Sequence, residues 1–324
     1  MAPSEPRALI IGSAGQDGRL LFTERSKSAS VLGVDVGPAE AHGRAAEDVA
    51  RALPRALSVE NAEEMLTLVE AYAPDEIYYL AARHHSSEQS PDVASELRES
   101  LRVNTLALVN VLEAVRRHAP RCRVFYAGSS HMFGTPVGRQ QDERTPYAPS
   151  NPYAISKVAG AHACALYRAR HGLHVSVGIL YNHESPLRAG QFVSQRIVRG
   201  ARSAAEDPGF KLTLGSLTAV VDWGYAPDYV DAMMRIVAAD APDDYVVATG
   251  EPHTVQEFVE LAFRAVGIDW RERVLVDPVR VALPTPGAAT GVLVGDASKL
   301  RARTGWKPSV TFAEMVSLLV AATA

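Results

Sequence analysis

The feature that most constrains the fold is a glycine-rich turn placed directly after the first apolar run of the chain. Residues 8–11 read Ala-Leu-Ile-Ile, and the sequence GSAGQDG follows at 12–18 before a helical pattern. A strand that passes through such a turn into a helix presents backbone N–H groups and the helix dipole to an anion. The sequence therefore predicts a βα unit that seats a dinucleotide diphosphate at Gly12, Gly15 and Gly18.

Short β-branched runs alternate with longer helical patterns through the first half of the chain, which is typical of parallel βαβ units. The predicted strands are 8–11, 30–34, 76–80, 123–127 and 174–180, and the predicted helices are 18–25, 62–72, 96–118 and 151–171. This alternation indicates an α/β fold with a Rossmann-type doubly wound parallel sheet, whose ligands gather at the carboxyl ends of the strands.

Beyond Tyr181 this alternation breaks into Pro- and Gly-containing segments with mixed helices. We expect residues 1–180 to form a dinucleotide-binding domain and residues 181–324 mainly a smaller, mixed α/β substrate lobe, with some segments returning to the first domain. Residues 37–43 are predicted to form a loop. Thr254 and Glu257 have the spacing of a capping box at the start of a helix.

Composition favours small-molecule chemistry. The net charge of the 324-residue chain is −4 with scattered Lys and Arg, so no nucleic-acid partner is expected. No segment approaches the roughly 20 apolar residues of a membrane span, and the N-terminus lacks an apolar signal region, which predicts a cytoplasmic protein without a membrane partner. Cys122 and Cys164 have no metal-ligand spacing and are expected to be buried free thiols. The adjacent His84 and His85 do not make a metal site by themselves, and no metal is predicted.

A Tyr and a Lys lie four residues apart on the last helix of the first half, at Tyr153 and Lys157. This spacing places both side chains on one helix face, where an ammonium near a phenol favours the ionised phenol at neutral pH. The pair predicts a proton shuttle for a substrate hydroxyl.

Polar side chains also follow the predicted strand 123–127, at the sheet edge where ligands are expected. Ser129 or Ser130 can hydrogen-bond the oxygen whose proton Tyr153 takes, which describes oxidation of an alcohol to a ketone. His131 can act as an acid or a base near neutral pH, or it can be a substrate contact or a packed imidazole.

An acidic residue, Asp35, closes the second predicted strand about twenty residues after the glycines. A carboxylate there accepts hydrogen bonds from ribose hydroxyls and repels a 2′-phosphate. NAD is therefore the expected cofactor and NADP is disfavoured, although Asp35 could instead be a solvated turn carboxylate.

Six segments resemble the extended short-chain dehydrogenases/reductases that modify nucleotide sugars, and among these most of all the GDP-mannose 4,6-dehydratase family. They are GSAGQDG at 12–18, PDEIYYLAA at 74–82, NPYAISK at 151–157, YNHESP at 181–186, DWGYAPDYV at 222–230 and ATGE at 248–251. The resemblance covers nearly the whole chain and implies a tightly bound, recycled NAD and a nucleotide-diphosphate sugar as substrate. It also implies a homodimer or homotetramer that pairs through helices 96–118 and 151–171.

The resemblance implies that Ser129, Tyr153 and Lys157 oxidise the sugar at carbon 4. The cofactor contacts expected beside the three glycines and Asp35 are Gln16, Asp17, Ser58, Leu80, Ala81, Ala82, Tyr153 and Lys157. The expected substrate contacts are His85, Ser130, Asn182, Arg188, Arg196 and Arg280.

The chain departs from the family pattern at informative positions. The dehydratases carry Glu where this chain has His131, and that Glu removes the proton at carbon 5 and helps to expel water from carbon 6. Arginines of the family are replaced at Leu187 and Val221 and in the Thr285-Pro286 pair. Lost arginines mean lost phosphate contacts, so a sugar or base other than that of GDP-mannose is expected, with Arg188, Arg196 and Arg280 as the candidates to bind the diphosphate.

These departures favour a nucleotide-sugar 4-epimerase, because an epimerase needs no base for carbon 5. A 4,6-dehydratase with His131 as acid and base is the first alternative, and a keto-sugar reductase is the second. A non-catalytic NAD(P)-sensing protein on the same fold is a further alternative, since fold does not fix function. Retention of Ser129, Tyr153 and Lys157 argues against that sensor.

Overall fold

The computed structural model describes residues 5–35, 40–42, 57–83, 92–136, 140–277 and 292–322. In chain order, its strands are β1 (Arg7–Ile11), β2 (Ser30–Val34), β3 (Glu40–His42), β4 (Glu76–Tyr79), β5 (Arg123–Ser129), β6 (His174–Leu180), β7 (Asn182–Glu184), β8 (Leu212–Leu214), β9 (Val220–Tyr225), β10 (Asp244–Val247), β11 (Pro252–Thr254) and β12 (Val274–Val276). Its α-helices are α1 (Gln16–Arg25), α2 (Ala62–Tyr72), α3 (Val93–Leu101), α4 (Ala107–His118), α5 (Pro152–His171), α6 (Val193–Glu206), α7 (Ala226–Ala238), α8 (Val255–Ala265), α9 (Ser298–Thr304) and α10 (Phe312–Ala322).

The main sheet has seven strands in the order β10-β6-β5-β4-β1-β2-β3. All neighbours are parallel except β3, which runs antiparallel to β2. Its central strands are apolar and buried along almost their whole length, as expected when helices cover both faces of a parallel sheet. The predicted doubly wound fold is confirmed. The prediction of a loop at 37–43 is wrong for residues 40–42, because their backbone pairs with the edge of β2.

The helices lie where the apolar periodicity placed them, with one interruption. The predicted helix 96–118 contains a π-helical stretch at Arg102–Leu106 between α3 and α4. The buried Asn104 lies in this stretch, and its amide bonds the backbone of Arg83 and the Ser156 hydroxyl. These contacts lie outside the helix that contains Asn104. The π-helical stretch therefore coincides with a hydrogen bond that joins this helix to Ser156 of α5.

A second cluster of buried apolar side chains lies among α6, α8, α10 and a three-stranded sheet of order β11-β9-β7. Trp223 packs there against Phe258 and Phe312, with ring centroids 5.3 and 5.9 Å away. The predicted capping box is confirmed, since Thr254 and Glu257 cap each other at the start of α8.

Two segments from the second half of the chain belong to the main sheet region. Strand β10 pairs with β6, and α7 packs against α1 and against β5 and β6. None of the described helices is long and apolar enough to cross a membrane.

Candidate active site

The turn after β1 is shaped by backbone contacts that only glycine permits. Gly12 has a φ of +93°, and a Cβ there would lie 2.5 Å from the backbone nitrogen of Ala81. A Cβ at Gly18 would lie 2.6 Å from Ser13 Cα, so the glycine lets α1 approach the turn. A Cβ at Gly15 would meet only the Gly12 carbonyl oxygen, at an ordinary 3.5 Å. The fold therefore requires Gly12 and Gly18, whereas Gly15 keeps the outer side of the turn free of side-chain atoms.

The same turn presents backbone donors at the start of a helix. Gly15 is the N-cap of α1 and supplies no side-chain cap. The first N–H groups of a helix have no intrahelical acceptor and attract anions. The predicted diphosphate seat thus fits the local structure of 12–18.

The ends of the neighbouring strands β2 and β4 close around this turn. Asp35 accepts a hydrogen bond from the Ala14 nitrogen at 2.9 Å, so its carboxylate lies beside the turn. The nitrogens of Leu80 and Ala81 donate to Ile11 O at 2.8 and 2.9 Å. Ala82 directly follows them. These predicted cofactor residues lie together at one sheet edge.

Ser58 lies in the exposed turn that precedes α2, where its nitrogen donates to the Glu64 carboxylate at 2.8 Å. The structure therefore shows Ser58 N–H in a helix-capping contact. His84, His85, Arg280, Thr285 and Pro286 lie outside the described residues.

Helix α5 carries the predicted proton shuttle. Asn151 caps it by accepting a hydrogen bond from the Ala154 nitrogen at 2.8 Å. Lys157 is only 1% exposed, and its ammonium donates to Ala127 O at 2.8 Å. The Lys157 nitrogen lies 5.6 Å from the centroid of the Tyr153 ring, so the two side chains share one helix face as predicted from their spacing.

The protonation states in this structure differ from the expectation of an ionised phenol. Burial raises the pKa of Tyr153 to about 12, although a hydrogen bond with Ser129 opposes the rise. Burial lowers the pKa of Lys157 to about 7. The lysine bonds the Ala127 carbonyl instead of the phenol, so desolvation of each group outweighs the attraction that the spacing suggested.

The serines and His131 follow directly at the end of β5. Ser129 is the last residue of the strand, and its hydroxyl accepts a hydrogen bond from the His131 nitrogen at 3.3 Å. Ser130 begins a 3₁₀ turn, Ser130–Phe133, and is buried. The His131 ring meets the Tyr153 ring edge to face, with centroids 6.0 Å apart.

Burial lowers the pKa of His131, so its imidazole is neutral at physiological pH. A neutral imidazole can accept a proton. Ser129, His131 and Tyr153 therefore bring a hydroxyl, a base and a phenol together. His131 and Tyr153 keep part of their surface exposed, whereas Ser129 and Lys157 are buried behind them.

The segment 182–188 carries the predicted nucleotide-sugar contacts. Asn182 is partly buried in β7, whose partner is β9. The Arg188 guanidinium lies 3.6 Å from the centroid of the Phe192 ring, and its Nε is 3.5 Å from the Glu184 carboxylate. The Nε of Arg188 has no hydrogen-bond acceptor among the described residues. Arg196 instead donates to the backbone oxygen of Thr213 at 2.9 Å.

Gln16 and Asp17 were predicted as cofactor contacts, but their side chains turn to segment 182–188. Asp17 pairs with His183 at 2.9 Å, and Gln16 bonds His183 O and the Ser185 hydroxyl. The backbone N–H groups of the two residues remain at the first turn of α1, where an anion is expected.

Two supporting residues were not found from the sequence. The hydroxyl of Tyr126 donates to Asn104 O at 3.0 Å, and its ring lies 5.1 Å from the Lys157 nitrogen. A Cβ at Gly160 would lie 2.5 Å from Tyr126 Cζ, so α5 packs directly on this ring. For Asn104, the sequence offered one signal, a polar residue at position 104 within the amphipathic pattern of the predicted helix 96–118.

Comparison with known proteins identifies the family to which the chain is similar. A family model described as GDP-mannose 4,6 dehydratase matches residues 9–319. GDP-mannose 4,6 dehydratase 2 of Arabidopsis thaliana is 38% identical, over 98% of this chain and 87% of its own length.

Two solved structures are similar in fold. RMD from Pseudomonas aeruginosa complexed with NADPH has a TM-score of 0.80 at 20% identity, with 98% of each chain covered. The UDP-glucose 4-epimerase of Thermus thermophilus in complex with NAD has a TM-score of 0.77 at 24% identity, again with 98% of each chain covered. At these identities the likeness concerns the fold, whereas the relative with higher sequence identity and the matching family model carry a dehydratase description. The comparisons thus favour the dehydratase alternative over the 4-epimerase interpretation.

Proposed function

Because the chain belongs to the GDP-mannose 4,6-dehydratase family of nucleotide-sugar enzymes, we propose that it is an NAD-dependent nucleotide-sugar 4,6-dehydratase with His131 as its acid and base. The observation that carries the proposal is the close placement of Ser129, His131 and Tyr153, of which His131 and Tyr153 are partly exposed. This site has the alcohol-oxidising group of the family together with a neutral imidazole at the position of the family's glutamate.

The cofactor would be held by the turn 12–18 and by Asp35. The open side of Gly15 and the first N–H groups of α1 suit a diphosphate, and a carboxylate at the end of β2 suits a ribose with free hydroxyls. A 2′-phosphate would be repelled by Asp35, which supports NAD over NADP. When bound, the nicotinamide supplies a hydride acceptor and later a hydride donor.

Tyr153 would take the proton of the sugar 4-hydroxyl at its phenolic oxygen, while the Ser129 hydroxyl orients the same sugar oxygen. The phenol must have lost its own proton before this step, and its raised pKa makes that costly in the ligand-free protein. The positive charge of Lys157 nearby lowers this cost when the lysine is protonated.

His131 would then remove the proton from carbon 5, which a ketone at carbon 4 makes acidic. The resulting imidazolium would return a proton to the hydroxyl that leaves carbon 6 as water. One residue can perform both transfers because the base becomes the required acid after the first. Carbon 6 of the resulting enone would then accept the hydride taken from carbon 4, and carbon 5 would take a proton from solvent.

The diphosphate of the substrate would be bound by Arg188. The Arg188 side chain is 22% exposed, its guanidinium packs on Phe192, and its buried Nε has no hydrogen-bond acceptor among the described residues. The replacement of family arginines at Leu187 and Val221 supports a sugar or base different from that of GDP-mannose.

We also propose a homodimer through α3 to α5, where Val93, Leu106 and Leu166 are 67, 60 and 54% exposed. Light scattering of the purified protein tests this.

The deciding experiment incubates the protein with a panel of ADP-, GDP-, UDP-, CDP- and dTDP-sugars and NAD in deuterated water. Mass spectrometry and proton NMR then identify the product. A sugar that has lost water and carries solvent deuterium at carbon 5 is expected. An isomer of unchanged mass without deuterium would overturn the dehydratase proposal in favour of 4-epimerisation, which the absence of the family's glutamate at position 131 supports.

Matched variants at position 131 sharpen this assignment. His131→Gln is expected to keep NAD binding and lose elimination of water. His131→Glu restores the family's residue and is expected to retain elimination with an optimum at lower pH, because a carboxylate loses its proton at lower pH than an imidazole. Equal elimination by wild type and His131→Gln would remove His131 from the reaction.

A further inference from the structure

A second group of charged side chains is buried between the first turn of α1 and segment 182–188. His183 is 7% exposed, and its Nε2 lies 2.9 Å from the Asp17 carboxylate. Its ring is stacked on Tyr229 of α7, with centroids 4.5 Å apart and planes 20° from parallel. The imidazole is therefore fixed on one face by an aromatic ring and at one edge by a carboxylate.

Both ring nitrogens of His183 face acceptors. The Nδ1 lies 2.7 Å from the carbonyl oxygen of Tyr181, which can only accept a hydrogen bond, so Nδ1 carries a proton. The Nε2 faces an Asp17 carboxylate oxygen, which accepts a hydrogen bond when Nε2 also carries a proton. Burial favours the neutral forms, but the attraction and hydrogen bond between the two raise the pKa of His183 and lower that of Asp17. The arrangement fits an imidazolium paired with a carboxylate.

Other charges act on the same pair. Arg188 lowers the pKa of both groups, so it opposes the charge on His183 and supports that on Asp17. Glu184 is buried beside them and is itself influenced by His183 and Arg188, whereas Tyr229 contributes an uncharged phenol whose pKa burial raises. Asp17 makes both the shortest charged contact and the hydrogen bond to His183. Among the charged groups around His183, it therefore has the largest effect on the pKa of the imidazole.

Gln16 adds a second connection between the same segments. Its amide nitrogen donates to His183 O at 3.2 Å, and its amide oxygen accepts from the Ser185 hydroxyl at 2.8 Å. Two consecutive residues at the start of α1 thus hold two residues of segment 182–188, His183 and Ser185. An uncompensated Asp17 carboxylate in this helix turn would repel any diphosphate bound at the turn.

We propose that His183 is a positioning residue, a protonated imidazole that cancels the charge of Asp17 and fastens the turn 12–18 so that it binds the diphosphate of NAD. This role rests on the proposed cofactor site but not on the fate of the sugar. Its consequence is a cofactor affinity that depends on a residue from the opposite side of the site.

Calorimetric titration with NAD⁺ tests the proposal without any sugar. His183→Gln removes the positive charge beside Asp17 and is expected to weaken NAD⁺ binding about tenfold at pH 7.5. The double variant Asp17→Asn with His183→Gln removes both charges and is expected to regain most of the lost affinity. Equal weakening in the single and the double variant, or no weakening in either, would overturn charge cancellation as the role.

The pH dependence separates charge from shape. Wild-type affinity for NAD⁺ is expected to fall as pH rises through the raised pKa of His183, and the double variant is expected to lack this fall. Thermal melts of each variant check that the fold is retained.

An NMR measurement on the wild-type protein covers the case in which a variant does not fold. The ¹⁵N shifts of His183 at pH 7.5 are expected to show both nitrogens protonated, and a neutral tautomer would overturn the proposal. If the dehydratase assignment were wrong, the sugar panel would show a different product, whereas the NAD⁺ titrations and the ¹⁵N shifts of His183 would be unchanged.

Discussion

The two halves of the candidate site are built by different means. At the turn 12–18, contacts such as that between Gly12 and the Ala81 nitrogen leave space for backbone alone. At 129–157, the backbone is regular and the chemistry depends on buried titratable side chains, with Tyr153 and Lys157 driven toward their neutral forms. The first half is specified by steric exclusion, the second by desolvation, so substitutions should affect stability in one and protonation in the other.

The largest effect is expected for Tyr153→Phe, in the side-chain half. Removal of the phenolic oxygen takes away the proton acceptor, and general acid–base groups contribute about 10²–10⁴-fold to rate. We expect a loss of this size in turnover of whichever sugar of the panel reacts, measured by product NMR. The melting temperature and NAD⁺ affinity should change little, since the ring still packs against His131. A large loss of NAD⁺ affinity would instead mean that the phenol acts mainly in binding the cofactor and not in proton transfer.

The next effect concerns pH. Because the pKa of His131 in the folded protein lies below its usual 6.5, the unfolded chain binds more protons between these two values. The contribution of His131 to stability is therefore present above pH about 6.5 and is lost as pH falls through the folded pKa. Turnover should fall over the same range, as the base is protonated. In His131→Gln, the loss of stability over this pH range, measured by chemical denaturation, should be smaller than in the wild-type protein.

In the backbone half, Gly18→Ala is expected to destabilise the protein by about 1–3 kcal/mol, as overpacking does. The added Cβ would lie 2.6 Å from Ser13 Cα. Gly15→Ala is the matched control, because its Cβ meets only Gly12 O at 3.5 Å. That variant should keep its unfolding midpoint and lose NAD⁺ affinity. If both variants melted alike, steric exclusion would not distinguish the two glycines.

The smallest effect is expected for Asp35→Asn. Asparagine can still accept the hydrogen bond from the Ala14 nitrogen, but it does not repel a 2′-phosphate. Loss of about 1 kcal/mol of repulsion corresponds to about a fivefold shift of preference from NAD⁺ toward NADP⁺. Parallel titrations with the two cofactors measure this ratio. An unchanged ratio would place Asp35 outside the cofactor site.

Local sequence was enough to predict five of the seven strands of the main sheet, the glycine turn and the helices of the first half of the chain. Strands β1, β2 and β6 are mostly apolar and are buried along almost their whole length, and such sequences are typical of strands covered on both faces. The short β3 could not be predicted, because its backbone pairing depends on β2 and not on its own side chains.

The parts of the site that escaped prediction involve residues far apart in sequence. Asp17 and His183 are separated by 166 positions, and neither residue signals the other. The protonation of Tyr153 escaped for the same reason, since burial by distant segments outweighs the neighbouring lysine. The spacing of two residues on a helix predicts that their side chains are neighbours. It does not predict how far the rest of the fold excludes water from them.

Strand β10 gives the main sheet a late component. Residues 244–247 pair with 177–180, so β6 is an open parallel edge until more than sixty further residues have been synthesised. Unpaired edges invite association with other chains, and long-range parallel pairings form slowly. During translation the nascent chain therefore carries an exposed edge that its own C-terminal half must cover. A chain cut after residue 180 would keep that edge permanently and is expected to aggregate, even though it holds every glycine of the turn together with Tyr153 and Lys157.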